Sequence, residues 1–228
     1  MILIVGANGF FGTQLQKLFL KKKIKFFASD ISLKENNYLD IRNKNSIKDI
    51  IKKNNINIII NCSCEPATSK SKKKLWSTNV EGNNNLIKCC LEFDIKKYIY
   101  ISTSAIWVKN YENPVDESEE YNPVENYGKS KVQAEKDIIS SNLNNWTIFR
   151  VPMIVSKERL GILSLLFDLI ISNKKIPLLG TGENILQFIH ADDLSNYIYL
   201  SLATNEKNIY NVGSEENISL KGLIKKLI

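Results

Sequence analysis

Apolar residues along this chain follow two alternating rhythms. Short continuous runs, rich in isoleucine, are separated by stretches whose apolar positions recur every three or four residues. The runs read as buried strands and the spaced stretches as amphipathic helices. Ile2–Val5 is the first run; it stops at Gly6, and helical spacing (Leu15, Leu18, Phe19) begins after Gly12. Ile24–Ser29 predicts a second strand ending at Asp30, and Tyr38–Leu39 a short extended piece ending at Asp40. Helical spacing through Ile47, Ile50 and Ile51 leads to a strand at Ile56–Ile60. A helix over Leu75–Phe93 precedes a strand at Tyr98–Ile101. A loop with Pro114 and Pro123 leads to a helix over Tyr127–Ser141, then a strand at Trp146–Phe149. Strands that alternate with helices and are apolar on both faces predict an α/β fold with a doubly wound parallel sheet. Ligands bind such sheets at the carboxyl ends of the strands. Gly6, Asp30, Asp40, Asn61 and Thr103 all fall there.

After residue 150 the rhythm changes. A helix is expected over Leu160–Ile171, a turn-rich link over Pro177–Gly182, and a strand over Ile185–Ile189. A helix over Asp192–Leu202, a strand over Ile209–Val212 and a helix from about Ser219 follow. The expected organisation is a main domain over 1–150 and a small lobe over 151–228, interwoven with the main sheet.

Three places carry candidate chemistry. The strand, glycine turn and helix start at Gly6, Gly9 and Gly12 suit a pyrophosphate. Glycines let backbone approach the phosphates, and a helix N-terminus offers free N–H groups and a positive dipole end. A carboxylate at the end of the second strand, Asp30, can accept hydrogen bonds from both hydroxyls of a ribose and repels a 2′-phosphate, which favours NAD over NADP. Tyr127 and Lys131 lie at i and i+4, on one helix face. An ammonium beside a phenol lowers the phenol's pKa and makes a usable acid or base. The strand-terminal Ser102-Thr103-Ser104 could hold a substrate oxygen beside that phenol.

Composition narrows the classes of function. The chain has 228 residues, 43% hydrophobic and 24% charged, ordinary for a globular protein. No apolar stretch approaches a membrane span and the N-terminus does not read as a signal peptide, so a cytoplasmic protein is expected. The net charge is +7, but the lysines are scattered, with no basic stripe interleaved with aromatics. Neither a nucleic acid nor a membrane partner is expected. Cys62, Cys64, Cys89 and Cys90 lack the spacing of a zinc site and are expected as packed free thiols, with no metal. The single histidine, His190, is expected to be structural, and Asp192 a helix cap or first-turn acid.

In this setting the chain resembles the extended short-chain dehydrogenase/reductases, in particular the NAD-dependent epimerases and dehydratases of nucleotide sugars. Gly6-Ala-Asn-Gly9-Phe-Phe-Gly12 resembles their G-x-x-G-x-x-G loop, Leu39-Asp40-Ile41-Arg42 their D-x-R segment, and Asn79-Val-Glu-Gly82 their N-V-x-G helix start. Asn61-Cys62-Ser63-Cys64 stands where they have H-x-A-A. Tyr100–Trp107 resembles Y-x-S-S/T-x-x-V-Y, which sets Thr103 at the catalytic Ser/Thr position with Ser102 beside it. Asn122–Lys131 resembles N-P-x-x-x-Y-G-x-S-K, Phe188–Leu194 resembles F-x-H-V-x-D-L, and Tyr210–Gly213 resembles Y-N-V-G. The resemblance implies a Rossmann-type fold, NAD as cofactor, a nucleotide-sugar substrate, and a homodimer formed by the helices near Asn79 and Tyr127. It implies Thr103, Tyr127 and Lys131 as catalytic residues. Gly6, Asn8, Gly9, Phe10, Phe11, Gly12, Asp30, Asp40, Ile41, Asn61, Cys62, Ser63, Asn79, Ser102 and Val151, with Tyr127 and Lys131, would hold the cofactor.

The chain departs from the pattern at Ile106-Trp107-Val108, where the family has V-Y-G, and at Arg150–Ser156, where it has R-P-x-x-V-Y-G. Family members also generally continue past the position of Ile228, so the lobe is either unusually small or lacks a part. Epimerase, dehydratase and reductase chemistry all remain open. So do a reductase of another small carbonyl or hydroxysteroid-like compound, and a dinucleotide-binding scaffold without activity.

Overall fold

The computed structural model describes residues 1–107, 114–176 and 180–227. Val108, Pro177–Leu179 and Ile228 therefore lie outside the described residues. Six parallel strands form the central sheet: β1 (Ile2–Val5), β2 (Phe26–Ser29), β3 (Ile58–Asn61), β4 (Lys97–Ile101), β5 (Trp146–Arg150) and β9 (Asn208–Asn211). Their order is β2-β1-β3-β4-β5-β9. Between β5 and β9 the chain forms β6 (Met153–Val155), β7 (Ile185–Leu186) and β8 (Phe188–His190), and β10 (Ile218–Ser219) follows.

The apolar runs are continuous because both faces of the sheet are covered. Leu3 and Val5 point into one core, Ile2 and Ile4 into the other, and both Leu3 and Ile4 are fully buried. The first core is closed by helices α2 (Lys44–Asn54), α4 (Asn83–Glu92) and α5 (Asn126–Ile139). The second is closed by α1 (Phe10–Lys21) and α7 (Ala191–Ser201), which pack on each other.

Several elements differ from the expected pattern. The helix expected over Leu75–Phe93 is three pieces in one helical path: α3 (Lys72–Trp76), a π-helical stretch (Ser77–Gly82), and α4. A π-bulge holds an extra residue per turn and often marks a functional site. The extended piece at Tyr38–Leu39 is only a single bridge from Tyr38 to Asp30. The strand expected over Ile185–Ile189 divides at Gln187. Ile185–Leu186 pairs with β10, whereas Phe188–His190 pairs with β6. Gln187 donates through Nε2 to Ser214 O at 3.1 Å, which seats the break. The cap of α7 is His190, whose Nδ1 accepts from Asp192 N at 3.2 Å; Asp192 is a first-turn acid.

Beyond residue 151 the chain serves two places. Helix α6 (Ile162–Ile171), α8 (Leu220–Leu227) and the pairs β6–β8 and β7–β10 lie outside the main sheet. Strand β9 rejoins that sheet in parallel with β5, and the rings of Phe149 and Tyr210 stack at 5.7 Å.

Strand order reverses direction between β1 and β3, so the crevice of this sheet opens between their carboxyl ends. The backbones there are in close contact. Gly6 has φ +77°, and a Cβ on it would sit 2.6 Å from Ser63 N. A Cβ on Gly12 would sit 2.3 Å from Gly6 O and 2.8 Å from Ala7 Cα. Since backbone, not a flexible side chain, is in the way, Gly12→Ala should destabilise the fold by about 1–3 kcal/mol. Urea titration reads this directly, and an unchanged midpoint would refute the packing argument.

Candidate active site

A cleft of about 810 Å3 runs along the strand ends. Gly6, Gly9, Phe10 and Phe11 line it from the glycine turn, and Asp30, Asp40 and Ile41 from the segment after β2. Cys62 and Ser63 border it after β3, Ser102 and Thr103 after β4, Val151 after β5, and Tyr127 and Lys131 from α5. Residues placed far apart in sequence thus share one concavity.

Four expected cofactor residues are not on its wall, and each has a supporting place instead. Gly12 lies against the Gly6 carbonyl. Asn8 stands at the rim, donating from its backbone N to Asp30 Oδ2 at 3.1 Å and from Nδ2 to Ser32 Oγ at 2.8 Å. Asn61 is buried; its Oδ1 accepts from Ser63 N at 3.1 Å and Ser63 Oγ at 2.6 Å, and its Nδ2 donates to the Tyr98 hydroxyl at 3.0 Å. Asn79, in the π-helical stretch, clamps the backbone of Glu65 from both sides: it accepts from Glu65 N at 2.7 Å and donates to Glu65 O at 3.1 Å. Asn79 also donates to Ser130 Oγ at 3.0 Å, and Ser130 Oγ donates to Tyr127 O at 2.7 Å. The loop after β3 is thereby tied to the start of α5.

At one end of the cleft, Asp30 Oδ1 accepts from Ser32 N and Ser32 Oγ, both at 2.8 Å. A carboxylate has about four lone-pair sites, so acceptor capacity remains. The Arg42 guanidinium forks onto the Asp40 carboxylate at 2.7–3.1 Å and holds its pKa below the usual carboxylate range.

The other end holds the tyrosine and lysine. Tyr127 sits in the first turn of α5, which presses on the turn Ser104–Ile106 after β4. A Cβ on Gly128 would lie 2.4 Å from Ala105 O, so glycine lets the helix approach and sets the phenol beside Thr103. The Thr103 hydroxyl caps that turn, accepting from Ala105 N at 3.2 Å. Ser102 is committed elsewhere: its hydroxyl donates to Glu135 Oε1.

The expected lowering of the Tyr127 pKa is not what this arrangement produces. Burial pushes the phenol up, the neighbouring Cys64 adds to the rise, and only the Thr103 hydroxyl opposes it. Lys131 is itself fully buried. Its Nζ donates to Ile101 O at 2.5 Å and lies 4.1 Å from the centre of the Tyr100 ring. Burial lowers its pKa to about 8, while Cys64, Glu135 and Cys62 pull the other way. Desolvation thus disfavours both charged forms.

Beneath this corner lies a buried ion pair. Arg150 donates to Glu135 Oε2 through Nε at 3.0 Å and through a terminal nitrogen at 2.8 Å, with side chains 2% and 0% exposed. Tyr121 donates to the same oxygen at 2.9 Å, and Arg150 reaches Glu117 O at 2.9 Å. The guanidinium lies 4.9 Å from the Trp107 ring centre, which gives the departure at Trp107 a packing role. The sequence carried a signal for this pair: an arginine ending an apolar strand, and a glutamate one turn after Lys131.

Cys64 is not packed as expected; it is exposed and borders the cleft. Arg159, Glu65 and Met153 also border it. Glu65 and Arg159 are delivered by loops and Met153 by the short strand β6, and no local pattern of the sequence marks the first two.

The fold and cleft are those of a doubly wound α/β protein with a crevice at its switch point and a tyrosine and a lysine one helical turn apart at one end of it. The chain belongs to the NAD dependent epimerase/dehydratase family, whose model matches residues 2–213. It is 27% identical over 270 residues to a dTDP-D-glucose 4,6-dehydratase of Dictyostelium discoideum, covering 100% of this chain and 61% of that protein. The chain thus spans about three fifths of that relative's length. It is 26% identical to a dTDP-4-dehydro-6-deoxyglucose reductase of Escherichia coli, covering 99% of this chain and 80% of the relative. The Bordetella bronchiseptica enzyme WbmG, solved in complex with NAD and UDP, shares the fold with a TM-score of 0.86 at 16% identity, over 98% of this chain and 76% of WbmG.

Two outcomes follow from the buried charges. Glu135→Gln leaves the Arg150 charge uncompensated and should cost about 3–5 kcal/mol in chemical denaturation. Lys131, whose folded pKa lies below the 10.5 of a free lysine, binds fewer protons folded than unfolded between about pH 8 and 10.5. Stability should therefore rise with pH across that window, by up to about 3 kcal/mol, relative to Lys131→Met. Parallel pH profiles for the two proteins would contradict it.

Proposed function

We propose that this chain is an NAD-dependent oxidoreductase of the epimerase/dehydratase type acting on a nucleotide sugar, with Tyr127 as acid and base. The observation that carries the reading is the span of one cleft from the Asp30 carboxylate, past the glycine turn, to Thr103, Tyr127 and Lys131. The residues fit a dinucleotide. Gly6, Gly9 and Phe10 put the glycine turn and the start of α1 on the cleft wall, where helix N–H groups suit a diphosphate, and Asp30 keeps acceptor capacity suited to ribose hydroxyls. Asp30 also favours NAD over NADP.

NAD, when bound, supplies the hydride acceptor. Thr103 holds the oxygen of a sugar hydroxyl, and Tyr127 takes its proton as the carbon loses hydride. The phenol, raised by burial in the free protein, becomes a base when positive charge is brought beside it. Lys131, one of whose donors goes to the Ile101 carbonyl, offers its remaining ammonium donors to a ribose. In the return direction Tyr127 gives the proton back. Residues 151–228 supply the substrate side, where Met153, Ile154 and Gly161 border the cleft. No helix among the described residues is long and apolar enough to cross a membrane. A homodimer belongs to this reading, with the exposed Leu91 and Ile139 of α4 and α5 at the contact.

Tyr127→Phe should reduce turnover by about 10^2–10^4-fold while NAD affinity stays nearly constant. Unimpaired turnover in that variant would sink the mechanism. In a thermal-shift panel of NAD, NADP and UDP-, GDP- and dTDP-sugars, NAD should raise the melting temperature more than NADP. The sugar nucleotide with the largest shift identifies the substrate class, and no response to any of them would reject the reading.

A further inference from the structure

The loop after β6 follows the segment Arg150–Ser156, where the chain leaves the R-P-x-x-V-Y-G pattern, and it is strapped to α1. It is closed on itself by two backbone hydrogen bonds, Ser156 N to Arg159 O at 2.9 Å and Arg159 N to Ser156 O at 3.1 Å. Glu158, at its tip, is clamped to α1. Its Oε1 accepts from Lys17 Nζ at 2.8 Å, and its Oε2 from Gln14 Nε2 at 3.3 Å and Ser156 Oγ at 2.8 Å. Lys17 first, then Ser156, hold this carboxyl down to about 2, so the clamp stays ionised at neutral pH.

The next residue is the one this clamp aims. The Arg159 guanidinium stands 5.0 Å from the centre of the Phe10 ring, and both residues border the cleft. Phe10 is the first residue of α1, directly after Gly9 of the glycine turn. Among the described residues the Arg159 side chain has neither a carboxylate partner nor a hydrogen bond, and it lies against that ring. Arg150, by contrast, spends its fork on Glu135. A guanidinium with five free N–H donors, stacked on an aromatic and facing a cleft, is suited to bidentate recognition of phosphate oxygens.

We propose that Arg159 is a diphosphate-binding residue, set over Phe10 beside the glycine turn by the Glu158 clamp on Lys17 and Gln14. The inference rests on the dinucleotide reading of the cleft given above. Two diphosphates could meet this guanidinium, that of the cofactor and that of the nucleotide sugar. Contact with Phe10, at the glycine turn, favours the cofactor's.

Isothermal titration of the wild-type chain and Arg159→Gln with ADP-ribose, UDP and adenosine tests this. ADP-ribose should bind about tenfold more weakly to the variant, with adenosine affinity unchanged because it carries no phosphate. A loss confined to UDP also supports a diphosphate role and assigns it to the sugar nucleotide. Glu158→Gln, which loosens the clamp but keeps Arg159, should weaken the same ligand by a smaller factor. Equal affinities in wild type and Arg159→Gln for both diphosphates would overturn the proposal, as would an equal loss for adenosine, which would mean a structural effect. If the wild-type chain binds neither ADP-ribose nor NAD, the dinucleotide reading itself fails, and this inference with it.

Discussion

At the carboxyl end of β1 three stretches of backbone meet with no room for a side chain between them. Gly6 turns the chain with a positive φ against Ser63, and Gly12 lets the first turn of α1 lie on the Gly6 carbonyl. The crevice depends on this contact. It fixes the angle at which α1 leaves the sheet and sets the loop after β3 beside the glycine turn. Both walls of the cleft near β1 are therefore positioned by main chain, the least adjustable part of the structure. The same device recurs at the other end, where Gly128 brings α5 onto Ala105 and carries Tyr127 to Thr103.

Between these two fixed ends the protein buries charge. Lys131 sits out of water against a carbonyl and a ring, and Glu135 faces Arg150 one turn further along α5. Buried ions are weak evidence for stability, since desolvation offsets much of their attraction. Their value here is geometric. Glu135 takes hydrogen bonds from Ser102, Tyr121 and Arg150, so α5, β4, β5 and the segment before α5 share one registering point. Ser102 is thereby turned to the core, and Thr103 is left to face the phenol. Glu158 does comparable work at the surface by joining the β6 loop to α1.

The alternation of apolar runs and spaced helices determined the fold class, because a strand buried on both faces must be apolar throughout and a covering helix must be apolar on one side. It also marked Asp30, Thr103, Tyr127 and Lys131, whose chemistry follows from strand ends and an i, i+4 step, both local properties. The resemblance on the glycine spacing and the Tyr-x-x-x-Lys segment agrees with the family to which the chain belongs. Tertiary structure alone decided the rest. Whether Lys131 depresses the Tyr127 pKa depends on burial and on where the ammonium points, and neither is written in the spacing. Asn61 and Asn79 matched motif positions, yet the packed loop after β3 made them supports behind the wall. The break at Gln187 was invisible because two short strands in different sheets leave one apolar run. Arg159 reaches Phe10 only because an acid on the preceding residue is caught by a helix more than a hundred positions earlier, and no local pattern encodes such a contact.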